Sequence, residues 1–267
     1  MKKYGVWAVA ACAAMVMGVS GCGDNDKDSD KGGDKVTGGE QSKAPASNGV
    51  DKLSATEIYE KSTTELGKAK SLRILGDGKE EGQAMKMDLL LDKSGNCRGS
   101  MTMGSAGSFE LVKVGEKVWM KPDDAFWKTS MGSEGGEQAS KLFSGKWMYG
   151  TTSDDMLKDM AGVCDLSAIQ AKAAADSADE KGFTKGAPTS IDGQQVIQLK
   201  GKNDEGKPLT YSVALTGKPY PVKIEEAGAD QSTMTFSDFD KPVGTDTPAE
   251  AESIDVAKME KELGAGA

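Results

Sequence analysis

Between Met85 and Asp92 the chain alternates: Met85, Met87, Leu89 and Leu91 take one parity, and Lys86, Asp88, Leu90 and Asp92 the other. A period of two sorts side chains onto the two faces of a pleated strand, whereas a helix of period 3.6 scatters them. This stretch is a half-buried strand with one apolar face, and its neighbours repeat the signal. Ser71 to Gly78 precedes it, and Met101 and Met103 follow the Gly95-Asn96 turn. Phe109 with Leu111, and Val118 with Met120, supply two more strands, turned at Gly104 to Gly107 and at Gly115-Glu116. Short strands, Gly-rich turns and one wet face make an antiparallel meander.

Helical signals flank it. Ser54 followed three residues later by Glu57 is a capping-box pattern, with Ile58, Tyr59, Ser62 and Leu66 on one face and Gly67 as the stop. Ala125-Phe126-Trp127 leads into a weakly helical Glu134 to Phe143, and Lys146-Trp147-Met148 follows without a clear period. Asp154 to Val163 reads as a helix capped by Ser153, and Leu166 to Ala175 as another. Strands resume after Phe183. Ile191, Gln195, Ile197 and Leu199 share one parity, and Tyr211, Val213 and Leu215 share another face. Val222 and Ile224 fall together, and Met234 and Phe236 close the set. Helix, strands, helices, strands is an α+β order, an antiparallel sheet carrying helices on one side. The folded domain is expected over residues 53–243, followed by a polar tail over 244–267 with a short helix near Asp255 to Leu263.

The start of the chain says where this domain works. Lys2 and Lys3 precede an apolar run from Val6 to Val19, too short for a transmembrane helix of about 20 residues. Val19-Ser20-Gly21-Cys22 then resembles a bacterial lipobox. That resemblance implies a signal peptide over 1–21, cleavage before Cys22 and a diacylglyceryl thioether on its sulfur, with palmitate-type acyl chains in the membrane. Residues 22–52 are rich in Gly, Asp, Ser, Lys and Ala and are expected to be a disordered linker with a reach of roughly 30 Å. The expected localisation is the outer face of the cell membrane.

Charge and residue counts remove whole classes of function. The formal net charge of -9 becomes -11 once Lys2 and Lys3 leave with the signal, so nucleic acid is not an expected partner and the membrane contact is expected through the acyl chains of Cys22. The count of His is 0, which removes Ser-His-Asp and Cys-His catalysis and imidazole metal sites. Asp123-Asp124 and Asp154-Asp155 fit turn and cap chemistry better than an acid-base pair. No phosphate-binding Gly loop is present. No catalytic residue and no cofactor are therefore expected. With Cys12 in the signal and Cys22 acylated, Cys97 and Cys164 remain, either a disulfide or two buried thiols, and export favours the bond. Two thiols without His fall short of a tetrahedral zinc set, so no metal is expected.

Ala69-Lys70-Ser71, Val118-Trp119-Met120-Lys121, Phe126-Trp127, Lys146-Trp147 and Phe239-Asp240-Lys241-Pro242-Val243 together resemble the actinobacterial exported lipoproteins of LolA-like fold, the group of the LppX and LprG lipid carriers. The resemblance spans about Leu53 to Val243 and departs after Val243, where Gly244-Thr245-Asp246-Thr247-Pro248 replaces the expected Thr-Ala-Pro. It implies a strongly curved antiparallel half-barrel with helices against its concave side, some members holding acyl chains between the two layers. The candidate lining is the apolar strand faces: Met85, Met87, Leu89, Leu91, Met101, Met103, Phe109, Leu111, Val118 and Met120 from the first set. Tyr211, Val213, Leu215, Val222, Ile224, Met234 and Phe236 come from the second. Methionine is flexible and suits variable apolar shapes, but it also fills ordinary cores. Two readings follow: a module holding a lipid or lipoglycan between sheet and helices, or an interaction module with a filled core and a protein partner of unknown identity. Trp119, Trp127 and Trp147 are read as structural anchors rather than a cleft mouth.

Overall fold

A computed structural model describes residues 46–80, 82–179, 182–203 and 205–264. The signal peptide, Cys22 and the linker up to residue 45 lie outside the described residues. Among those described, no helix is long and apolar enough to cross a membrane.

Helix α1 (Ala55–Lys68) starts as the sequence dictates. The Glu57 N–H donates to Ser54 Oγ at 3.3 Å and the Ser54 N–H donates to Glu57 Oε2 at 2.8 Å, so the capping box is closed at both ends. Six strands follow with helix α2 between the fifth and sixth: β1 (Ser71–Glu80), β2 (Gln83–Asp92), β3 (Cys97–Met103), β4 (Ser108–Val114), β5 (Lys117–Pro122), α2 (Asp124–Phe143) and β6 (Trp147–Thr151). Helices α3 (Asp155–Gly162) and α4 (Leu166–Asp179) come next. Then come β7 (Thr184–Ile191), β8 (Gln194–Lys202), β9 (Pro208–Ala214), β10 (Pro221–Glu226), β11 (Ser232–Ser237), β12 (Ser253–Asp255) and α5 (Val256–Gly264).

The strands form one open, curled sheet in the order β12-β6-β5-β4-β3-β2-β1-β11-β10-β9-β8-β7, antiparallel except for the β12–β6 pair. Each meander is built from neighbours in sequence, and β1–β11 joins the two. The helix-facing side carries two contiguous cores. One gathers Leu72, Ile74, Leu89, Leu91, Leu111, Met120 and Met148 with Leu157, Leu166 and Val256 from the helices. The other packs Ile58 and Tyr59 of α1 on Ile197, Leu199, Tyr211 and Val213.

Helix α2 is two short helices folded back at Gly132, whose φ of 72° is a left-handed value that favours glycine. A Cβ on Gly136 would stand 2.3 Å from Lys128 Cα and 2.6 Å from the Trp127 carbonyl oxygen, so glycine lets the two arms touch. Ser140 Oγ donates to Asp124 Oδ1 at 2.6 Å and closes the hairpin at its base. Cys97 and Cys164 form the disulfide favoured above, which ties β3 to the segment between α3 and α4.

The structure corrects the sequence reading in four places. Order begins before Leu53: Ser47 bridges to Thr216 and Val50 is fully buried, because one apolar residue in a polar stretch suffices to dock it. The segment after Val243 carries the expected short helix, α5, but is bound to the sheet on the way to it. Arg98 Nη2 donates to the Asp246 carbonyl at 2.7 Å, and β12 then pairs with β6, so the chain crosses the outer face of the first meander. Ser153 does not cap α3; Asp154 holds the N-cap position and its Oδ2 accepts from Thr151 Oγ1. Trp147-Met148 begins a strand too short to show a period, and Ile191 ends β7, a strand apart from Gln195, Ile197 and Leu199 on β8.

Candidate functional site

Register decides which of the candidate residues meet. Across β2–β3 the partners are Leu91–Cys97, Leu89–Gly99, Met87–Met101 and Met85–Met103. The rows continue through β4 and β5, with Leu111 beside Met120 and Phe109 beside Pro122. On the other side Ile74 pairs with Leu89 and Phe236, and Gly76 with Met87 and Met234. One strand face thus runs from sealed to open. Leu89, Leu91, Leu111, Val118 and Met120 are fully buried. Two residues further along β2 and β3, Met87, Met101 and Met103 are half-buried against the same core, Met85 is half-buried, and Met234 is 37% exposed.

Gly76 and Gly78 form the floor of this open end on β1, opposite Met87 and Met85. Gly76 is filled from the side: a Cβ there would lie 3.4 Å from Met87 Cε, so Met87 lies over the glycine toward Met234. The first arm of α2 forms a wall beside it. Asp123 caps that arm through the Phe126 N–H at 2.7 Å while its other oxygen accepts from the Ser108 N–H and hydroxyl. These bonds hold the Asp123 carboxyl below the usual range against the desolvation that raises it. Phe126 so placed packs edge-on to Phe109 at 5.9 Å, directly beyond Met101.

Tyr211, Val213 and Leu215 belong to the second core, under α1, where Tyr211 and the Ser62 hydroxyl share a buried hydrogen bond of 3.2 Å. Ile224 touches both cores. Val222 is a correction. The register slips between Pro221 and Lys223, and the extra residue of this bulge sends Val222 to the opposite face, beside Val196 and Ala214. Parity alone cannot reveal a bulge.

The cavities with measurable volume reach only the rim of this end: one of about 580 Å³ touches Phe109 and Asp123, and the one along the outer face of β1 and β2 touches Gly76 and Met87. One of about 730 Å³ lies on the outer face between Arg73, Arg98, Trp147 and residues 246–248. Another of about 890 Å³ lies at the β6–β12 edge, beside Trp119, Tyr149 and Met259. A third of about 400 Å³ follows the outer face of β1 and β2. None of these three is lined by Met85, Met101 or Met103. The tryptophans act as anchors: Trp127 is buried, Trp119 stacks on Tyr149 at 5.0 Å, and Trp147 lies 5.5 Å from Lys121 Nζ on the outer face.

The sequence marks Phe239-Asp240 only as part of a family resemblance, and nothing in it links Asp240 to Lys218 and Tyr220. Asp240 Oδ1 accepts from the Lys70 N–H, and its Oδ2 accepts from Lys218 Nζ and from the Tyr220 hydroxyl, each at 2.9 Å. These donors, the Lys70 N–H foremost, bring the Asp240 carboxyl down to about 2. Tyr220 stacks on Phe239 at 3.9 Å, so the cluster locks the end of β11 to the start of β1. Its place at that junction is a structural role.

No family model matches the chain, and no curated protein matches it. Solved structures do. LprF from Mycobacterium bovis aligns with 73% of this chain and 97% of its own, at 12% identity and a TM-score of 0.51. The lipoprotein LppX of Mycobacterium tuberculosis covers 72% of this chain and 98% of its own, at 16% identity and a TM-score of 0.42. The Pseudomonas aeruginosa MucA/MucB complex aligns at 11% identity, covering 74% of this chain and 59% of that one, with a TM-score of 0.34. The similarity to LprF is one of fold, and with the sheet and helices above it bears out the LolA-like half-barrel.

Proposed function

We propose that this chain is an exported lipoprotein, anchored through acyl chains on Cys22, that binds an apolar or amphiphilic molecule of the lipid or lipoglycan class. The observation that carries this reading is the graded strand face. Leu89 and Leu91 are sealed, while Met85, Met87, Met101, Met103 and Met234 on the same side stay accessible beside the glycine floor. Water-facing methionines next to a closed core are costly unless something covers them, and flexible thioethers adapt to chains of varied shape. Each methylene sheltered there contributes about 0.8 kcal/mol. The filled centre supports a ligand laid along the open end, between β1–β3 and the first arm of α2, rather than one swallowed by the core. No residue set in the site supports bond chemistry, and the reading is of a binder, not an enzyme.

The filled centre also favours a second reading, an interaction module whose open end receives a protein side chain. Native mass spectrometry of the full-length protein, taken from its own membrane, separates them. The lipid reading expects a bound species that organic solvent extracts; a protein free of lipid supports the second.

A further inference from the structure

The four half-buried methionines are more ordered than an apolar lining requires. Met85 stands directly opposite Met103, and Met87 directly opposite Met101, on one face of β2–β3. Directly opposed residues hold their Cβ atoms about 4.5–5.5 Å apart. Positions two apart along a strand are about 6.5 Å apart. On flexible arms the four thioethers can converge on one patch, Met87 by swinging back from its place over Gly76. Their partners in the same rows, Gly76, Gly78 and Phe109, are neutral, and Lys86, Asp88, Ser100 and Thr102 alternate to the other face.

Two facts argue against a purely apolar role. The strand face changes from leucine to methionine at the point where it becomes accessible, and accessible methionine is open to oxidation where leucine is not. The chain also holds no His, and its two described cysteines are joined, so thioethers are the soft donors left among the described residues. The count that removes zinc leaves Cu(I), which thioether sulfur selects over harder ions.

We propose that Met85, Met87, Met101 and Met103 bind one Cu(I) ion, with Ag(I) as its redox-inert equivalent. The step is coordination alone, with no electron transferred and no proton released, and it does not rest on the lipid reading.

The test uses the full chain with Cys12→Ser and Cys22→Ser, so that no free thiol competes. Cu(I) is supplied anaerobically as its acetonitrile complex and titrated against bicinchoninate. One Cu(I) per chain is expected. The quadruple variant Met85→Leu, Met87→Leu, Met101→Leu, Met103→Leu conserves volume and apolarity. Loss of the groups behind metal ligands alone weakens sites 10–100-fold, so loss of the ligands themselves is expected to weaken binding by at least about 100-fold. The same methionines line the proposed lipid site, so the control is the fold: an unchanged circular dichroism spectrum in this variant separates lost ligands from a lost domain. As a second readout that needs no variant, methyl-labelled methionine spectra titrated with Ag(I) should move the signals of these four residues and leave the buried Met120 and Met148 in place. Equal affinity in the quadruple variant, no Cu(I) bound by the unsubstituted protein, or Ag(I) shifts confined to other methionines would each overturn the site.

Discussion

Truncating methionines along one strand face should give two different costs. Met120 is fully buried in the core under α3, and Met103 is half-buried at the open end. Met120→Ala removes three heavy atoms, about 2.4 kcal/mol of transfer free energy at 0.8 per methylene. A residual cavity of about 50 Å³ adds roughly 1 kcal/mol at 24 cal/mol per Å³. The total of about 3–4 kcal/mol lowers Tm by about 10 °C for a domain of this size. Met103→Ala loses about half the transfer term and leaves no enclosed void, so about 1 kcal/mol and about 3 °C are expected. Urea titration followed by circular dichroism measures both. Equal costs would refute the graded face: two large losses mean a sealed core throughout, and two small ones mean that Met120 is not packed as described.

Three further outcomes follow from the same structure. Cys22→Ala should leave the described domain folded and release it from membranes or stall the precursor; fractionation with membranes as complete as the unsubstituted protein's, after signal removal, contradicts the anchor. Replacing Cys97 and Cys164 by Ala opens a loop of 67 residues and should cost about 4 kcal/mol, read by denaturant midpoint; an unchanged midpoint refutes the staple. The Asp240 carboxyl lies at about 2 when folded and near 3.9 unfolded, so its stabilisation is present above about pH 4 and lost as pH falls toward 2. Solvent screening of a carboxylate about one-third exposed holds this to about 1 kcal/mol, and Asp240→Asn, which tolerates the left-handed backbone there, should flatten the acid limb by that amount.

Much of the domain was legible because its signals are local. The capping box at Ser54 and Glu57, the alternation from Met85 to Leu91, and the turns at Gly95 and Gly115 each rest on a few adjacent residues, and each formed as read. The exceptions depend on distant partners. Val222 changed faces because of a bulge set by pairing with β9, which no alternation in β10 records. Residues 184–191 have no period because the strand lies at the sheet edge with both faces wet. The segment after Val243 is polar along its whole length, and only Arg98 and the free edge of β6 give it a path. Sequence parity likewise put every apolar strand residue into one lining; packing divides it into two cores and an accessible end, because helices α1 and α3–α5 cover only part of the sheet.

The central claim is that the methionine end of the helix-facing side is a ligand site and not unfinished core. Met87→Trp and Met103→Trp fill that end with rings while the sealed rows behind it stay intact. Native mass spectrometry of each variant, isolated from the membrane alongside the unsubstituted protein, reads the bound species directly, with Tm taken on the same samples. The account predicts lost lipid at an unchanged Tm. Retained lipid, or a Tm lowered in keeping with the roughly 1–3 kcal/mol that overpacking a filled core costs, would contradict it.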